Sequence, residues 1–165
     1  MFGSTVIASR LLPHVAPRVL MVGGLALAAA GMAGLTSMSE GLAYTTGIVP
    51  AEIAAGLGIG CAMIAAFSVA TRGVAPRDAG VASAVIVTAQ QVGGSIGTAL
   101  LNTVAASASA AFLASHPRGA ASTALVHGYS IATAWGCVVL IAAAVVAGVL
   151  VSAGKPTGHA GPAAA

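Results

Sequence analysis

The stretch Arg77–Phe112, RDAGVASAVIVTAQQVGGSIGTALLNTVAASASAAF, decides how the rest of the chain is read. It carries no charge after Asp78, yet it is not uniformly apolar. On a helix, Thr88, Gln91, Ser95, Thr98 and Asn102 follow one another at alternating three- and four-residue steps and share one face. Gly93 and Gly97 stand four apart on a neighbouring stripe, with Gly94 between them, where a second helix can approach closely. A helix long enough to cross a bilayer and marked in this way is expected to face protein or a water-filled cavity, as the working helix of a transport protein does.

Composition leads to the same solvent. Hydrophobic residues make up 58% of the 165 residues and charged residues 5%, with a mean hydropathy of +1.02. A water-soluble domain carries about a quarter charged residues, so this chain is expected to bury itself in lipid. The net charge of +3 is spread over few residues, with no basic run or interleaved aromatics, and gives no nucleic-acid signal. His14, His116, His127 and His159 are scattered, and no metal or other cofactor is expected. No nucleophile–base or carboxylate pair can be assembled, which argues against an enzyme. Cys61 and Cys137 sit in apolar segments and read as small packing residues.

Taken in order, residues 1–9 are apolar but too short to span, and read as the end of a truncated transmembrane helix. Residues 10–18, with Pro13 and Pro17 to stop a helix, form a connecting loop. Four spans are then expected at about 19–37, 50–71, 79–113 and 125–151, within a four-helix region over 19–152. The first is nearly free of polar side chains and is expected to face lipid. The second opens with Pro50 and Glu52, a helix-start pattern, and its Gly56 and Gly60 form a further packing pair. Met63 and Phe67 read as packing residues. Asp78 is placed to cap the third helix. That helix is longer than a bilayer requires, so tilting, protrusion or a bend at Gly93–Gly94 is expected. Tyr129 is expected near a membrane interface, and residues 153–165 read as a disordered tail.

Charge orients the spans. Arg10, Arg18, Arg72, Arg77 and Lys155 fall on one side and only Arg118 on the other, which makes both ends cytoplasmic in a multi-pass protein of the cell membrane.

The segment from Pro76 onward resembles the major facilitator superfamily, in its fourteen-helix drug:proton antiporter branch (the EmrB/QacA type). The residues that carry the resemblance are Pro76, Asp78, Ala79-Gly80, Ala82-Ser83, Gln90-Gln91, Val92, Gly93-Gly94 and Gly97. The stretch ASRLLPHVAPRVLMVGG (residues 8–24) is similar to a cytoplasmic loop of the same family, without the acidic residue of its fuller form. The resemblance implies an all-α integral membrane bundle, four transmembrane helices plus a stub, forming the C-terminal portion of a proton-coupled multidrug exporter. It implies that the penultimate helix lies where two halves meet, that the last faces lipid, and that the N-terminal half is missing here. Hydrophobic or cationic small molecules would be the cargo. Gln90, Gln91, Ser95, Thr98 and Asn102 would line the path or a helix interface, with Gly56, Gly60, Gly93, Gly94 and Gly97 for close packing. No span carries an ionisable group away from its ends, so proton coupling would fall to the missing half. The alternative is a free-standing small membrane protein acting as an accessory or structural subunit.

Overall fold

Alanine, glycine and aliphatic residues fill the long segments of this chain, and in a computed structural model they form four long α-helices among the described residues. The structure describes residue 10 and residues 15–36, 48–117 and 120–151. The expected helix remnant over 1–9, residues 11–14 of the 10–18 loop, Glu40, Arg118 and the tail from 153 lie outside the described residues. Helix α1 is Pro17–Thr36, α2 Val49–Ala70, α3 Ala79–Ser115 and α4 Ala121–Leu150. Each is long and apolar enough to cross a membrane. The molecule is an all-α membrane helical bundle.

Local chemistry explains the ends. Pro17, expected to stop a helix, instead opens α1, where its missing amide costs nothing and its fixed φ suits the first turn. Pro50 stands in the first turn of α2 together with Glu52. The Thr71 hydroxyl donates to the Phe67 carbonyl at 2.8 Å as α2 finishes. Gly73, with φ +78°, turns the chain in a conformation closed to most other residues. A single 3₁₀ turn, Pro76–Asp78, leads into α3. Helix α3 then runs unbroken through Gly93 and Gly94 for 37 residues, about 55 Å at 1.5 Å per residue. That exceeds the ~30 Å hydrocarbon core of a bilayer.

The packing order differs from the chain order. Helix α1 lies between α2 and α4, α3 packs on the other flank of α4, and α2 barely meets α3. Neighbouring helices in this row run antiparallel. The tightest contact joins α1 to α2 through a seam of small residues. A Cβ at Gly24 would stand 2.6 Å from the Gly58 carbonyl oxygen, and one at Gly31 would stand 2.6 Å from the Ala51 carbonyl oxygen. Between them lie Ala28, wholly buried, and Ala62. Along α1 the seam steps 24, 28, 31, 35 and along α2 it steps 51, 55, 58, 62, 65. That is the alternating spacing of a left-handed helix pair. At one end of the seam Leu20, Cys61 and Ala65 form a small apolar core with Met21 and Ile64.

The expected lipid-facing role of α1 is therefore overturned, because α1 is the central helix and the one most enclosed by its neighbours. Its lack of polar atoms reflects contact between backbones, not exposure to lipid. Helix α4 reaches the other side of α1, where the Cys137 thiol lies 3.4 Å from the Ala29 carbonyl oxygen and a Cβ at Gly136 would meet the Met32 methyl at 2.9 Å. Away from α1, α4 is aliphatic and exposed, with Val138, Val139, Val146 and Leu150.

A pair of substitutions tests the seam. Gly58→Leu forces a side chain into the α1 backbone, and a loss of about 1–3 kcal/mol is expected in a reversible unfolding titration in mixed micelles. Gly56, two residues earlier, faces open space, so Gly56→Leu is expected to stay within about 0.5 kcal/mol of the parent.

Candidate functional site on the third helix

Helix α3 has two unlike halves. From Leu101 to Phe112 it packs on α4, and Leu101, Val104, Ala105, Ala108, Ser109 and Phe112 are buried or half-buried. Gly128 of α4 lies directly against Ala105 and Ser109, so that any side chain there would overlap the α3 backbone. From Ala79 to Leu100 the same helix runs almost unaccompanied, with only Ala82, Ile86 and Gly97 partly covered. Small residues recur at contact positions in the C-terminal half (Ala105, Ala108, Ser109), opposite Ala124, Gly128 and Ala132 of α4.

The candidate residues lie mostly on the unaccompanied half. Gln90, Gln91, Ser95 and Thr98 are exposed, and Asn102 is exposed at the junction of the two halves. Helical spacing keeps Thr88, Gln91, Ser95, Thr98 and Asn102 on one stripe. The Gln90 amide donates to the Met63 sulfur of α2 at 3.5 Å, a weak bond and a rare link between α2 and α3. The Ser95 hydroxyl turns back to its own helix, donating to the Val92 carbonyl at 2.9 Å. Gln91, Thr98 and Asn102 meet no protein hydrogen-bond partner among the described residues. Beside the polar stripe runs a second one of Val81, Val85 and Val92, all more than half exposed. The arrangement presents polar and apolar strips together, which suits a protein surface or a substrate path better than lipid alone.

The glycines divide differently from expectation. Beyond Gly93, Gly94 and Gly97 a Cβ would meet nothing within 4 Å, and the same holds for Gly56. Within this chain the close approaches are made by Gly24, Gly31, Gly58 and Gly128 instead. Gly60 sits on α2, half-buried, next to that seam.

Asp78 occupies the N-cap position of α3, but its carboxylate accepts no bond from the helix amides. Its backbone, φ −102° and ψ −3°, continues the preceding 3₁₀ turn and lacks the extended form that lets a capping side chain fold back. The carboxylate lies instead 3.5 Å from the Arg77 Nε, in an exposed pair. The expectation of a capping bond is corrected accordingly.

Two features were not legible in the sequence. One is a half-open, largely apolar pocket of about 150 Å³ between α1, α3 and α4, lined by Met32, Leu101, Asn102, Ala105, Tyr129 and Thr133. Asn102 is the one residue of the stripe that lines it. The other lies at the far end of the α3–α4 hairpin. There Phe112 stacks on His116 at 4.5 Å and lies 5.0 Å from the His127 ring. Their eleven-residue separation resembles no ligand spacing, and only the hairpin brings them to one aromatic ring. Among the described residues no three metal-ligating side chains come together.

Fold and site together define a polytopic membrane bundle in which half of α3 is left uncovered by the other described helices. No protein-family model matches the chain, and no solved structure does either. Over 79 residues, 47% of the chain, it is 52% identical to the puromycin resistance protein pur8 of Streptomyces alboniger. The match covers 16% of that protein, so the chain spans a small part of its length.

Because Asp78 caps nothing, Asp78→Ala is expected to change stability by less than about 0.5 kcal/mol. A working N-cap would lose around 1 kcal/mol, and thermal unfolding monitored by circular dichroism separates the two.

Proposed function

We propose that this chain is the C-terminal segment of a proton-coupled multidrug efflux transporter of the major facilitator type, in the fourteen-helix branch, and that it works in the cell membrane with both ends cytoplasmic. The observation that carries the reading is the unaccompanied half of α3. A helix with Gln90, Gln91, Gly93 and Gly94 exposed, and with room for a side chain at Gly97, is built to meet further protein. The likeness to a puromycin resistance protein supports drug export as the activity and small, largely hydrophobic or cationic molecules as the cargo.

In this reading the other half of the transporter packs along Gly93, Gly94 and Gly97, and the two halves rock about a midplane site. Gln91, Thr98 and Asn102 lie where they can hydrogen-bond across that interface or to a passing substrate. Interhelical bonds of this kind contribute about 0.6 kcal/mol each, which permits repeated making and breaking. The coupling carboxylates belong to the remainder of the transporter. Glu52 lies in the first turn of α2 and Asp78 at the start of α3, both at helix ends where a proton relay across the bilayer does not pass.

The first test is the size of the native product, read by immunoblot of membranes carrying a C-terminal tag at the chromosomal locus. A band about three times larger than 15.6 kDa is expected. A band at 15.6 kDa would replace this proposal with an accessory or structural subunit. In the complete transporter, Gly97→Leu is expected to lower drug efflux at least tenfold, on the order of 1.4 kcal/mol, while leaving the melting of this chain alone unchanged. Unaltered efflux would remove the interface role.

A further inference from the structure

At the end of the bundle where α1 begins and α4 finishes, the two helices part into a groove of about 420 Å³. Arg18 stands at its mouth, Val22 and Ala26 form one wall, and Ile141, Ala144, Val145, Gly148 and Val149 form the other. The groove exists because Ala26, Ala144 and Gly148 supply no bulk, and a Cβ at Gly148 would still lie 3.6 Å from the Val22 methyl. Apart from Arg18 the lining residues have no polar side chain, so water gains little by filling the groove. Arg18 is exposed and has no carboxylate partner among the described residues. Glu52 lies at the opposite end of the α1–α2 pair, and Asp78 is beside Arg77.

We propose that this groove binds one anionic phospholipid, its phosphate on the Arg18 guanidinium and one acyl chain laid along Val22, Ala26, Ala144 and Ile141. The guanidinium fork matches phosphate geometry and is more weakly hydrated than an ammonium. From Arg18 to Ala26 the wall runs about 12 Å, a depth that carries the chain from the headgroup level into the hydrocarbon region. A protein helix is a poor occupant. With side chains it is 10–12 Å across, and α1 and α4 touch again at Cys137 and Gly136, which closes the groove below. The site holds whether the chain acts alone or as a segment, since it is formed by α1 and α4 only.

The test uses the purified full chain, stripped of lipid in detergent and offered phosphatidylglycerol and phosphatidylcholine with identical acyl chains. Native mass spectrometry reads the bound lipid. One surface arginine contributes about 1 kcal/mol, so a roughly fivefold preference for phosphatidylglycerol is expected. Arg18→Gln should bring that preference close to unity, Ala144→Phe should reduce binding of both lipids, and Arg72→Gln should change neither. A diazirine-bearing phosphatidylglycerol gives a readout free of variants, and its adducts are expected on residues 141–148. The proposal is overturned if Arg18→Gln keeps the preference, or if adducts spread evenly over the outer faces. It is equally overturned if inorganic phosphate alone abolishes lipid binding, or if Ala144→Phe dissolves a dimer, because the groove would then hold an ion or a second copy.

Discussion

Two helix backbones lie against each other between α1 and α2 with no side chain separating them, and the rest of the bundle depends on that contact. Lipid tails are as apolar as leucine, so helices in a bilayer gain little from hiding aliphatic surface against one another. They gain from dispersion at short range, and short range requires small residues. Gly24, Ala28 and Gly31 on one side and Ala55, Gly58 and Ala62 on the other provide it. With α2 fixed on one flank, the opposite flank of α1 is left for α4, which meets it through larger groups such as Met32 and Cys137.

Helix α3 is held more loosely, by the half of its length that contacts Gly128 and its neighbours. Its other half carries most of the polar groups, so the chain's richest hydrogen-bonding surface is also its least enclosed. These two facts have one cause. Glutamine and threonine side chains on the stripe keep lipid at a disadvantage, and no helix among those described covers them.

The helices themselves were legible, because runs of apolar residues longer than a bilayer is thick leave little choice of structure. Which faces they bury was not. Hydropathy made α1 a lipid helix, since contact between backbones leaves no polar mark in the sequence. Glycine spacing drew attention to Gly56 and Gly60, whereas the contact runs through Gly58, which meets Gly24 and Ala28 of α1 and continues along α2 through Ala51, Ala55 and Ala62. Alanine is too common here to stand out as half of a motif. Asp78 reads as a cap by its type and position, yet the 3₁₀ turn before it sets a backbone from which the carboxylate cannot reach back. On α3 the polar stripe was visible from spacing alone. The pocket beside Asn102 and the stacking of Phe112 on His116 were not, because both depend on how α3 lies against α4.

The row α2–α1–α4–α3 also bears on how the chain is made. Ribosomes deliver α1 and then α2, and these two can pair at once through adjacent surfaces. Helix α3 emerges next, and neither α1 nor α2 offers it a broad contact. Its extensive partner among the described helices, α4, is made after it, and α4 must dock on α1 and receive α3 together. Between those moments a long helix with bare glutamines waits in the translocation machinery or in lipid. Among the described helices assembly therefore follows the order of synthesis, with α4 as the piece that joins α3 to the α1–α2 pair.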